Sequence, residues 1–261
     1  MLKKLFGLLA GAKAGLATPA VAAQAASPSA SGSAALTPED ILMRAIAERT
    51  KTDPLIGAKL GGKEIFERLV RGMKTDRGVH AESLLCALGA LAGYACQASL
   101  RANALAKGLP ETAYLTEVTT RNGQKFWLGD ALNKPLAESQ YAVWRVAAGA
   151  AQQAGCKAPP ALDDIFRRTA QIVGSPEFGV PRLPDGHPTH DLPATYVRSL
   201  WPVLLPVVKK FCTVPYQWPL LYAIAIQQAI AAAKATLDPC IALTIVMESA
   251  VPMSKIDLAT A

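Results

Sequence analysis

The chain has 261 residues, of which 51% are hydrophobic, 18% charged and 6% aromatic, with 27 basic and 20 acidic side chains and a formal net charge of +7. An apolar content this high excludes wholesale disorder, and the absence of any uninterrupted apolar window of about 18 residues excludes a polytopic membrane protein. The basic residues are interleaved with acids: Arg44 to Arg77 also contains Glu48, Asp53, Glu64, Glu67 and Asp76. Such mixing reads as a solvated helical face, so no specific nucleic-acid partner is expected.

Residues 1–37 form a separate compositional unit. Lys3 and Lys4 precede the apolar run Leu5 to Ala12, Lys13 interrupts it, and an Ala/Ser/Pro-rich tract follows. One reading is a tail, or a weak membrane foot using residues 1–16 with Leu2, Leu5, Phe6 and Leu9 as its apolar side. The alternative is an export signal cleaved near Ala22 or Ala25. The five cysteines form no C-x-x-C pair. Cys86 and Cys96, ten residues apart in one predicted helix, stand roughly 15 Å apart, too far for a disulfide. Read as buried, unpaired thiols, the cysteines favour a cytoplasmic chain over an exported one.

The rest, 38–261, reads as a single, mainly α domain: a compact multi-helix fold with one β-hairpin and a long Pro-rich loop. Thr37-Pro38-Glu39-Asp40 supplies a cap, a first-turn proline and two acids ahead of a helix over 41–49. An amphipathic helix over 62–74 and a long one over 80–106 follow. The latter contains Gly89 and Gly93, whose spacing lets a neighbouring backbone come close. Asn122-Gly123 between 117–120 and 125–128 predicts a hairpin that needs cover from the helices or another chain. Helices are expected again over 138–153 and 162–173. Residues 174–194 carry five prolines, which regular structure does not tolerate. Phe178, Val180, Leu183 and Leu192 argue for an ordered wrap. Apolar helices over 196–211, 220–234 and 238–249 close the chain.

Several motifs fall short of a chemistry. Gly57 to Lys63 has the glycine and lysine spacing of a phosphate-binding loop, but Glu64 stands where a hydroxyl is needed and no buried strand precedes it; a turn feeding a helix is the simpler reading. His80-Ala81-Glu82 resembles the first half of the zinc-dependent deaminase signature, but the second half, P-C-x-x-C, is missing: Pro239-Cys240 lies far downstream and has no second cysteine. Leu109 to Ala113 resembles a sorting signal but is internal. Gly-x-Ser-x-Gly is absent, and no Ser/His/Asp triad is spelled out.

The strongest constellation is His187-Pro188-Thr189-His190-Asp191, two of the three histidines beside a carboxylate. Imidazoles and carboxylates suit zinc or another first-row metal, with Asp185 or His80 as further ligands. No cofactor is otherwise expected. A ligand or metal site would lie where this loop meets His80 and Glu82 at a helix start, and Asp130 after the hairpin. Trp201 and Trp218, each beside a proline, are core residues or, alternatively, line a groove.

No complete catalytic motif is present. The reading that follows is a non-catalytic helical accessory protein acting through protein–protein assembly, with a protein partner or a second copy. A metal- or small-molecule-binding protein or enzyme at the histidine loop is the alternative, and a membrane-surface protein using residues 1–16 the third.

Overall fold

A computed structural model describes residues 37–259; the tail, membrane-foot and signal readings of residues 1–36 lie outside the described residues. The described residues form α1 (Pro38–Thr50), α2 (Ile56–Met73), α3 (Ala81–Ala106), β1 (Thr116–Thr119), β2 (Lys125–Leu128), α4 (Val143–Ala154), α5 (Leu162–Gln171), α6 (Pro193–Phe211), α7 (Trp218–Ala233) and α8 (Pro239–Met253). This is the expected mainly α fold with one hairpin.

Local chemistry sets several boundaries. Thr37 and Asp40 form a capping box, the Asp40 amide donating to Thr37 Oγ1 at 3.1 Å and the Thr37 amide to Asp40 Oδ2 at 3.0 Å. The box starts α1 at Pro38, before the expected Ile41. α2 starts at Ile56 rather than Gly62. Gly57, Ala58, Gly61 and Gly62 are buried in it and form a face almost without side chains, on which Phe211 and Leu221 sit. That close packing overrides the low helix propensity of glycine, so the phosphate-loop look-alike is neither a turn nor a loop. α4 starts at Val143 rather than Glu138 because Lys134–Glu138 winds a wider turn behind Pro135 and Ser139 is extended.

α3 is the axis of the fold. It is long and apolar enough to cross a membrane by length and composition, yet 89% of its most apolar window is buried among the other helices. It packs chiefly on α8 and α7. A Cβ on Gly89 would stand 2.5 Å from the Val246 carbonyl oxygen, and one on Gly93 would collide with the Ala250 carbonyl. The two glycines therefore allow α3 and α8 to touch backbone to backbone, as the spacing implies.

The hairpin pairs Val118 with Phe126 around Asn122-Gly123 and finds its cover within the chain. Trp127 donates its amide to the Lys255 carbonyl at 2.7 Å, and the Phe126 ring meets Phe178 edge-on at 4.8 Å. Phe178 belongs to the Pro-rich segment 172–192, which is an ordered strap, as expected. Phe178 and Leu183 pack on the core, but Val180 and Leu192 stay 40% and 49% exposed.

Two sequence readings are corrected here. Cys156 and Cys240 are disulfide-bonded, with Cα atoms 4.9 Å apart; only Cys86, Cys96 and Cys212 are free, all three buried. Trp201 and Trp218 line no groove: they are 7% and 4% exposed. The Trp201 ring lies between Tyr94, edge-on at 4.9 Å, and Tyr222, stacked at 6.1 Å.

Candidate functional site

All three histidines of the chain converge at the start of α3. His80 is the N-cap residue: its Nδ1 accepts the Ser83 amide at 3.3 Å and lies 2.9 Å from Ser83 Oγ. A nitrogen that accepts a backbone N–H carries no proton, which places the ring's proton on Nε2. That Nε2 faces Glu82 Oε2 at 3.4 Å, while Glu82 Oε1 meets His187 Nδ1 at 3.1 Å. One carboxylate thus lies between two imidazoles. His190 stacks on His80 with ring centroids 4.2 Å apart, and its amide donates to Ser83 Oγ at 3.0 Å.

Local structure delivers each group. Pro184, Asp185, Gly186 and His187 make a turn closed by the His187 amide on the Pro184 carbonyl at 3.3 Å, with Gly186 at φ +84°. The left-handed position needs a glycine. Asp185 is an exposed member of this turn and presents His187 rather than joining the cluster. Asp191 accepts the Thr189 hydroxyl on its backbone carbonyl at 3.0 Å and leads into α6. Asp130 is brought nowhere near the histidines. It opens a short turn, Asp130–Leu132, whose Leu132 packs with Leu115 and Trp127 under the hairpin.

The electrostatics are those of a half-buried polar cluster. Burial opposes the charge on Glu82, but its own backbone N–H and the two imidazoles outweigh it and hold the carboxyl below the usual range. Burial pushes the Tyr196 hydroxyl, which bonds Ser83, up to about 12, and the Cys86 thiol up to about 11. Ser83, His80 and Glu82 follow the hydrogen-bond order of a nucleophile, a base and an orienting acid. Ser83 is fully buried, however, and the His190 amide covers its oxygen. The arrangement closes the strap onto α3. Among the described residues, no group of three or more His, Cys, Asp or Glu side chains is arranged to hold a metal ion.

A second polar lock holds the middle of the strap. Glu248, 3% exposed on the otherwise apolar α8, meets Arg168 Nη1 at 3.0 Å and accepts the Arg182 amide at 3.1 Å. Arg168 also donates to the Val180 carbonyl at 3.3 Å. A cleft of about 270 Å³ opens beside Glu248, between Pro160, Ile165, Leu183 and Thr244.

At the opposite end of α3 lies a groove of about 550 Å³. Leu55, Leu100, Tyr114, Pro135, Tyr141, Tyr216, Pro219 and Leu220 give it an apolar lining, and among the described residues its charged lining is Lys107 and Lys134. Tyr141 and Tyr216 are 47% and 65% exposed. Leu105 and Leu109, on the chain segment flanking Lys107, are exposed as well.

No family model matches the chain, and no curated protein or solved structure matches it either.

Of the residues singled out in the sequence, His80, Glu82, His187 and His190 are brought together, and Asp191 borders them. Ser83, Glu248, Arg168, Arg182 and the groove were not singled out. Glu248 had a readable sign: a lone acid in an apolar helix without a basic residue one turn away needs a partner from another element.

Proposed function

We propose that the chain is a helical accessory protein that works through protein–protein assembly, using the groove at the C-terminal end of α3. The carrying observation is the groove itself, an apolar concavity rimmed by the exposed tyrosines Tyr141 and Tyr216. Its charged rim is basic, which favours an apolar occupant flanked by acids. The chain carries such a segment. α1 buries only Ile46, starts with Glu39 and Asp40, and leaves Ile41 and Leu42 56% and 42% exposed. Leu55, on the linker that follows α1, already lines the groove. The partner this surface fits is therefore a second copy, with α1 of one copy in the groove of the other.

A complementation experiment tests it. In native mass spectra, the wild type is expected to be a dimer, and Ile41→Glu and Tyr216→Glu are each expected to be monomers. An equimolar mixture of the two variants regains a heterodimer, because it retains one intact helix and one intact groove. A monomeric wild type, or variants that stay dimeric, contradicts the proposal.

The histidine cluster favours a second reading, a ligand-binding or enzymatic site under the strap. Its support is that bonds spanning 105 and 107 residues in sequence gather every imidazole of the chain around one carboxylate and one serine. Native spectra of the same samples test it: a stoichiometric extra mass lost in His190→Ala supports a bound ligand or metal, and its absence leaves the cluster a latch.

A further inference from the structure

We infer that this chain matures in an oxidising compartment, reached through its N-terminal segment, where Cys156 and Cys240 are joined as a structural disulfide. The expectation of a cytoplasmic chain rested on Lys13, which cuts the apolar run short, and on the premise that the cysteines are unpaired. The bond between Cys156 and Cys240 removes that premise, because such bonds persist in oxidising compartments and are rare in the cytosol.

The two cysteines are placed by backbone chemistry at facing helix ends. Gly155 ends α4 in the left-handed conformation at φ +115°, its amide on the Gln152 carbonyl and the Cys156 amide on the Ala151 carbonyl at 2.9 Å. This double closure fixes Cys156 just beyond the helix. Cys240 lies in the first turn of α8, its amide held by Asp238 Oδ1 at 2.7 Å. Two independent caps thus bring the Cα atoms to 4.9 Å, inside the range a disulfide spans.

The other thiols do not compete. Cys86 and Cys96 lie inside α3 and Cys212 ends α6; burial raises all three, Cys86 to about 11 and Cys212 to about 12, so their thiolates are scarce. Oxidation is therefore directed to one pair. Each of the two thiols loses a proton, and together they surrender two electrons to the disulfide of an exchange protein, which leaves as a dithiol.

The sequence supplies the route. Lys3 and Lys4, the apolar run Leu5 to Ala12 and the small-residue pattern Ala20-Val21-Ala22 or Ala23-Gln24-Ala25 follow the order of an export signal. Cleavage there hydrolyses one peptide bond and leaves the residues from Thr37 onward intact.

The test uses full-length chain expressed in its own host, acid-quenched before lysis and alkylated under denaturing conditions, followed by intact mass. Without reductant, three of the five cysteines are expected to be labelled; after reduction, all five. The same spectrum is expected to lack the first 22 to 25 residues, the span ending at Ala22 or Ala25. Five labelled cysteines before reduction overturn the inference, and so does a mass that retains Met1 to Ala22.

Discussion

The two ends of α3 are used in opposite ways. At its start, His80, Glu82 and Ser83 spend their hydrogen-bonding capacity inside the chain, on His187, His190 and Tyr196. At its far end, Tyr141 and Tyr216 keep much of their surface in water beside an apolar groove. A polar cluster closed by its own chain behaves as part of the fold, whereas an apolar surface left open is where another molecule gains most by binding. Damage at the strap end should therefore cost stability, and damage at the groove end should cost assembly.

The largest effect should come from the link between α4 and α8. Because the Cys156–Cys240 bond spans 84 residues, its loss in Cys156→Ser should cost about 4 kcal/mol of unfolding free energy by relaxing the unfolded chain. Urea titrations of wild type and variant, without reductant, measure the difference, and wild type in excess reductant should match the variant. Next comes the Glu248 lock. Arg168→Ala removes the nearer cation, at 3.0 Å, from a carboxylate that is 3% exposed and leaves it the Arg182 guanidinium at 3.7 Å, which should cost about 3 kcal/mol. Arg168→Ala with Glu248→Leu should recover most of that loss, since the charge goes with its partner.

A smaller effect should come from the latch. The folded state holds Glu82 below the ordinary carboxyl range, so its contribution is complete above the unfolded value, about 4.3. It is lost as pH falls through the lower folded value. The stability of wild type and Glu82→Gln, followed by thermal melts, should differ at pH 6 by about 1 kcal/mol and converge as the pH falls through the lowered folded-state value. A gap that persists in acid would mean that the carboxylate charge does not hold the strap.

The sequence exposed parts of this arrangement and hid others for definable reasons. Boundaries governed by neighbours in the chain are readable: the cap at Thr37, the Asn122-Gly123 turn, and the prolines that break regular structure in the strap. The close approach implied by Gly89 and Gly93 is readable as well, though not which helix makes it. The cluster is half readable. His80-Ala81-Glu82 and His187 to Asp191 each stand out, but only the path of the strap over α3 and α8 makes them one site and leaves Asp130 elsewhere. The Cys156–Cys240 pair depends on two helix ends meeting, which no spacing rule reports. α2 misleads because buried glycines, normally helix breakers, are what its contact with Phe211 and Leu221 requires. The groove is hidden most deeply, since its lining is gathered from several separate stretches between Leu55 and Leu220.

The smallest expected change in stability accompanies the largest expected change in behaviour. Tyr216 is 65% exposed, so Tyr216→Glu should leave the unfolding free energy of the single chain within about 0.5 kcal/mol of that of the dissociated wild type. Sedimentation velocity over a range of concentrations, with melting curves on the same samples, tests this contrast most directly. The account predicts a wild-type dimer whose melting temperature rises with protein concentration, and a Tyr216→Glu monomer whose melting temperature does not, the two meeting at dilutions where the wild type dissociates. A wild type that stays monomeric throughout, or a variant that dimerises as well as wild type, would contradict it.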